Sequence, residues 1–109
     1  MAAPLLTAAQ YEALAQSIKL PTQAFVDGTF RPALSGKTFE TTNPATGQTL
    51  AQIAACGPED VDVAVAAAKA AYEDGRWSRL SPGERKHILL RFADLLEQNA
   101  HELAVMETL

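Results

Sequence analysis

The stretch Ser81-Pro82-Gly83-Glu84, followed by Ile88, Leu89, Phe92, Leu95 and Leu96, constrains the fold more than any other part of the chain. Serine followed three residues later by glutamate is a capping box, proline suits the first helical turn, and the apolar residues then recur at helical spacing. The result is an amphipathic helix whose apolar stripe must lie against something. Three further helix starts are written in the same grammar. Thr7-Ala8-Ala9-Gln10 is a capping box ahead of Tyr11, Leu14, Ala15 and Ile18, with Pro21 as the stop. Gly57-Pro58-Glu59-Asp60 opens a helix with proline at its first position and carboxylates near the positive dipole end, and Gly75 closes it. Its apolar face reads Val61, Ala64, Val65, Ala68, Ala71 and Tyr72, and the small alanines point to close approach of a neighbour. Asn99-Ala100-His101-Glu102 repeats the capping signature before Leu103, Met106 and Leu109.

Between the first two helices the pattern changes period. Phe25-Val26 and Thr29-Phe30 flank Asp27-Gly28, a pair suited to the positive φ values of a type I′ turn. Thr38 to Thr42 and Thr49 to Ala55 are rich in β-branched residues and are separated by the turn formers Asn43-Pro44-Ala45-Thr46-Gly47. The chain therefore reads as α+β, two β-hairpins followed by amphipathic helices. With 109 residues it is one ordinary domain or a piece of one. After Leu109 there is no Gly, Asn or basic last turn to cap the final helix, so a fragment is expected.

Composition removes several function classes. A formal net charge of -4 and a pI near 5.0 offer no basic footprint for nucleic acid or anionic lipid. No run approaches the roughly 20 apolar residues of a membrane span, and Met1 to Leu20 lacks the form of a signal peptide, so a cytoplasmic protein is expected. One cysteine forms no intramolecular disulfide, and the two histidines lie far from it, so no zinc site is expected.

Candidate chemistry is thin. Cys56 is the only thiol; it follows an apolar strand and precedes Glu59 and Asp60, so it reads as a small buried filler rather than a nucleophile. His87 falls on the polar side of its helix and reads as solvent-facing, and His101 lies in a helix first turn, where it is expected to be neutral or simply exposed. Glu59-Asp60 reads as dipole compensation and Glu73-Asp74 as solvated charge. The glycines are scattered singly, without a G-x-G-x-x-G or Walker pattern, so no phosphate cradle is encoded. Trp77, in a short connection between helices, reads as a plug that buries its ring under two helix ends.

Taken in order, Phe25-Val26-Asp27-Gly28, Thr42-Asn43-Pro44-Ala45-Thr46-Gly47, Asp60-Val61 with the Ala-rich helix, Trp77-Ser78, Ser81-Pro82, Glu84-Arg85, Phe92-Ala93-Asp94-Leu95-Leu96-Glu97, Glu102-Leu103-Ala104 and Glu107-Thr108-Leu109 resemble the N-terminal portion of the aldehyde dehydrogenase superfamily. Trp77-Ser78-Arg79-Leu80-Ser81-Pro82, Arg85-Lys86 and the helix before Phe25 look most like the branch acting on γ-glutamyl-γ-aminobutyraldehyde. The resemblance implies an oxidoreductase with a Rossmann-like NAD(P)-binding domain, a catalytic domain and an oligomerisation arm, turning an aldehyde into a carboxylic acid. It divides this chain into an N-terminal extension, residues 1–22, and the beginning of the NAD(P)-binding domain, residues 23–109. In the family a cysteine attacks the aldehyde, hydride passes to nicotinamide and a glutamate activates water. Those positions follow the part of the family pattern matched here. No catalytic and no cofactor-binding residue is carried over, and NAD or NADP is expected only in the full-length protein. In some members a monovalent cation is held by backbone carbonyls just before the Asn-Pro turn. The matching residues are Thr41 and Thr42, and the acidic partner is expected beyond Leu109, so the chain alone is expected to bind no ion there. The expected partners are the remainder of the polypeptide, the aldehyde and further copies of the protein. The alternative reading is a stand-alone helical interaction or oligomerisation module without enzymatic activity.

Overall fold

A computed structural model describes residues 4–109. The element order is α1 (Ala8–Ser17), β1 (Ala24–Val26), β2 (Thr29–Arg31), β3 (Thr38–Thr42), β4 (Thr49–Ala54), α2 (Pro58–Glu73), α3 (Pro82–Gln98) and α4 (Ala100–Thr108). The chain forms two compact units, one from the residues up to Leu20 together with Ser81–Leu109, the other from Pro21–Leu80. Among the described residues no helix is long and apolar enough to cross a membrane.

In the Pro21–Leu80 unit, β1 and β2 pair antiparallel with Phe25 opposite Phe30. Asp27 and Gly28 take φ of 49° and 76°, the left-handed pair that a type I′ turn requires. β3 and β4 pair antiparallel from Thr38 opposite Ala54 to Thr41 opposite Ala51; the register then shifts, so that Thr42 faces Thr49. Leu50 is the extra residue of this bulge, which explains why both Leu50 and Ala51 are half-buried instead of alternating. Strand β4 stops at Ala54, one residue before the expected end, although the Ala55 N–H still donates to the Lys37 carbonyl at 2.9 Å.

Helix α2 packs on β1. The face it turns inward differs from the expected one: Val63, Ala64, Ala67 and Ala71 are half-buried, whereas Val61, Val65 and Tyr72 are exposed. The alanines allow the close approach to the strand that their size suggested, and the two valines one step round the helix are left outside. The helix ends at Glu73, with Asp74 as its C-cap and Gly75 at φ 78°. The buried centre of this unit is Ala33, 3% exposed.

In the other unit α1 packs on α4, and α3 also touches α4. The face of α1 is the expected one, with Tyr11, Leu14, Ala15 and Ile18 all half-buried. Thr7 and Gln10 close its start reciprocally, and so do Ser81 and Glu84 for α3. Asn99 departs from expectation. It makes no side-chain cap on α4; its Nδ2 donates back to the Leu95 carbonyl at 2.7 Å, because α3 runs almost directly into α4 and the last carbonyls of α3 are the nearer partners. Val105 is the buried residue of α4.

Candidate functional site

Each residue singled out by the sequence has a definite place, and the structure does not gather them into one centre. Cys56 is exposed, which corrects the reading as a buried filler. It sits in the short connection between β4 and α2, after the last ladder contact and one residue before the N-cap Gly57, where no described element covers it. Trp77 is also corrected. It lies in the turn after Gly75 and remains 42% exposed, so its ring is only partly covered. His87 is exposed on α3, as expected. His101 is half-buried, and its Nδ1 lies 3.0 Å from the Tyr11 hydroxyl with the rings edge to face at 5.6 Å. This contact joins α1 to α4.

Two acidic residues do more than balance a dipole. Asp60 Oδ2 accepts the Gly57 N–H at 2.9 Å and Oδ1 accepts the Leu34 N–H at 2.9 Å. The first bond satisfies the start of α2, and the second ties the loop between β2 and β3 to that start. The bond from Gly57, then that from Leu34, and to a lesser degree the charge of Arg31 hold the Asp60 carboxyl below the usual range. Asp74 is gripped by Arg76, whose Nε donates to Oδ2 at 2.8 Å and whose backbone N–H donates to Oδ1 at 2.8 Å. Arg76 Nη1 reaches Asp27 at 3.2 Å, so one guanidinium joins the hairpin turn to the end of α2. The side-chain bond to Arg76, followed by its amide, lowers the Asp74 carboxyl from its usual range. Glu73 faces Lys69 at 3.8 Å across one helical turn and is otherwise solvated.

The cation position expected from the sequence, Thr41 and Thr42, falls at the end of β3. Thr41 is half-buried and Thr42 exposed, and the register shift falls between them. Both threonines keep partners across the ladder, Thr41 facing Ala51 and Thr42 facing Thr49, and the extra residue Leu50 is on β4. The loop is otherwise self-satisfied. The Asn43 carbonyl accepts from Gly47 at 2.7 Å and Thr46 at 3.3 Å, Asn43 Oδ1 accepts from Ala45 at 2.8 Å, and the Asn43 N–H donates to Gln48 at 2.8 Å. Among the described residues no group of three or more His, Cys, Asp or Glu side chains is placed to hold a metal.

A dinucleotide does not fit the residues present. A diphosphate is held by N–H groups at a helix start, and at the starts of α2 and α3 the Asp60 and Glu84 carboxylates, which accept the Gly57 and Ser81 N–H groups, place negative charge where it would come. An apolar groove of about 410 Å³ lies between α1 and α4, lined by Tyr11, Ala15, Ala104, Val105 and Leu109 with Glu12 and Thr108 at its edges. It offers no convergent set of polar donors.

The sequence pattern of the aldehyde dehydrogenase family matches residues 30–109. An aminoacetaldehyde dehydrogenase of Pseudomonas aeruginosa is 57% identical over 105 residues, which are 96% of this chain and 21% of that protein. Among solved structures, an indole-3-acetaldehyde dehydrogenase of Pseudomonas syringae in complex with NAD+ superposes with a TM-score of 0.92 at 47% identity, covering 96% of this chain and 21% of the other. A γ-glutamyl-γ-aminobutyraldehyde dehydrogenase of Burkholderia cenocepacia gives a TM-score of 0.92 at 43% identity, covering 95% and 21%. The chain spans about a fifth of the length of these relatives and a tenth of some longer ones.

Proposed function

The chain belongs to the aldehyde dehydrogenase family, and from that membership we propose that it is the N-terminal, non-catalytic part of an NAD(P)-dependent enzyme that oxidises an aldehyde to a carboxylic acid. An amino aldehyde such as γ-glutamyl-γ-aminobutyraldehyde is the proposed substrate class, on the likeness to relatives named for such substrates. Residues 1–22 form an extension and residues 23–109 begin the NAD(P)-binding domain. The complete protein is a cytoplasmic homo-oligomer, and the partner of this segment is the rest of its own polypeptide. Thr41 and Thr42 supply carbonyls to a monovalent cation in the complete enzyme, completed by an acidic group from elsewhere; the register shift of the ladder at this step supports the reading.

The observation that carries the proposal is uncovered apolar surface. Ile88, Leu89, Phe92, Leu95 and Leu96 of α3 are each between 40% and 57% exposed. The chain exposes 8484 Å² in all, whereas two independent compact domains of the sizes of its two units would expose roughly 7,000 Å² together. The excess is larger than the roughly 800 Å² that one partner buries in a standard interface. A scaffold segment awaiting its cover has this surface; a self-contained catalytic domain does not.

Complementation tests the reading. The chain is co-expressed with the P. aeruginosa aminoacetaldehyde dehydrogenase lacking its matching N-terminal residues, and aldehyde-dependent NAD+ reduction is measured. The expected outcome is activity only when both pieces are present. Failure of the pieces to associate, together with a sharp monomeric unfolding transition of the chain alone, would overturn the proposal in favour of the stand-alone module.

A further inference from the structure

The chain contains two Asp-Gly pairs, Asp27-Gly28 and Asp74-Gly75, and one guanidinium holds both aspartates. Asp-Gly is the dipeptide in which backbone rearrangement is least hindered, because glycine has no Cβ to shield its nitrogen. The glycine nitrogen attacks the side-chain carbonyl carbon, a C–N bond forms, and the carboxyl oxygen leaves as water with its own proton and the amide proton. Water then opens the resulting succinimide. Opening at the main-chain carbonyl leaves the backbone routed through the side-chain carboxyl, one methylene longer, as an isoaspartyl residue. Water is released and returned, and no other reactant is needed.

The two pairs differ in how firmly they are held. Asp74 takes Nε and the backbone N–H of Arg76 at 2.8 Å each and Nη2 at 2.6 Å, and the Gly75 N–H is engaged by the Tyr72 carbonyl at 3.2 Å. Its lowered pKa also keeps the reactive, protonated carboxyl scarce. Asp27 has one contact with Arg76, at 3.2 Å, and its side chain is 63% exposed. Space is open where a Gly28 side chain would stand, and Asp27 itself occupies the left-handed region at φ 49°, a costly conformation for a residue with a Cβ.

We propose that Asp27-Gly28 is a site of spontaneous isoaspartate formation and that Arg76 slows the reaction by pinning the Asp27 side chain. The added methylene falls in a two-residue turn whose length sets the register of β1 against β2. Modification therefore loosens the hairpin.

The test is ageing of the purified chain at physiological temperature and mildly acidic pH, with isoaspartate located by peptide mapping and electron-based fragmentation. Isoaspartate is expected at Asp27 ahead of Asp74. Arg76→Ala is expected to speed its appearance at Asp27 about two- to fivefold, the scale of an exposed ion pair. Molar salt, where the Debye length falls to about 3 Å, is expected to speed the unsubstituted chain in the same direction. Phe30→Ala loosens the hairpin by removing the Phe25–Phe30 ring contact while leaving Arg76 in place, and a smaller acceleration than that of Arg76→Ala is expected. Equal rates with and without Arg76, an equal effect of Phe30→Ala, or isoaspartate first at Asp74 would each overturn the proposal.

Discussion

Replacing Asp60 with alanine removes the acceptor of two backbone N–H groups, those of Gly57 and Leu34, in one step. The expected result is a fall in melting temperature of a few degrees and faster amide exchange at Leu34, with Asp60→Asn intermediate because its remaining carbonyl oxygen accepts one bond. The pH dependence has a definite sign. Asp60 is lowered in the folded chain from an ordinary value of 3.8, so its contribution is fully present above that value and is lost as pH falls through the lower, folded one. Protection of the Leu34 amide should follow that course in the unsubstituted chain and lose its acid limb in Asp60→Ala. A second residue-scale expectation concerns Gly75. A methyl group there would be forced into φ 78° and into the Cγ and Cδ atoms of Arg79. Gly75→Ala should therefore destabilise the chain by at least about 1 kcal/mol in chemical denaturation. An unchanged midpoint would contradict the packing described.

Among the elements, the helix starts were legible because capping is chemistry within four residues. Thr7 with Gln10 and Ser81 with Glu84 form the reciprocal boxes that their spacing implies. Ser81→Ala should loosen the start of α3 by about 1 kcal/mol, and Ser81→Asp should restore most of it, both read from amide exchange in the first turns of the helix. The turn at Asp27-Gly28 was legible for the same local reason. Contacts between distant residues were not. Asp60 to Leu34 spans 26 residues, Arg76 to Asp27 spans 49, and Tyr11 to His101 spans 90. No periodicity encodes such pairs. The exposure of Cys56 and Trp77 is illegible for a related reason, since residue type sets a preference for burial while neighbouring elements decide whether cover exists. Tyr11→Phe should test the longest of these contacts. It keeps the ring and leaves His101 Nδ1 without its partner, so α1 should loosen from α4 by about 1 kcal/mol, read as faster amide exchange across Ala8–Ser17. The candidate cation carbonyls of Thr41 and Thr42 were placed by family resemblance alone; the register shift that separates them has no mark in the sequence.

For the molecule as a whole, the dominant feature is that only Ala33 and Val105 are buried apolar residues among those described. Stability of a few kcal/mol normally rests on a larger core than this. The isolated chain should therefore melt broadly or self-associate, as sedimentation at several concentrations would reveal; a sharp, concentration-independent monomeric transition would contradict it. Calorimetric titration with NAD should give no saturable binding tighter than about 1 mM, because the sequence holds no glycine-rich phosphate-binding turn and the Asp60 and Glu84 carboxylates stand at the starts of α2 and α3.

Self-capped helix starts combined with an uncovered α3 also set an order of events in time. The caps close as soon as four neighbouring residues are available, so α1, α2 and α3 can form early in synthesis. Their cover cannot. In a polypeptide of the relatives' length roughly 400 further residues remain to be made, which at 5–20 residues per second takes about 20–80 s. During that interval Ile88, Leu89, Phe92, Leu95 and Leu96 form an open apolar ridge on a nascent chain. On the proposed reading, the segment is a natural client for whatever shields emerging chains, and the speed with which the rest is made bears directly on how much of it survives to be covered.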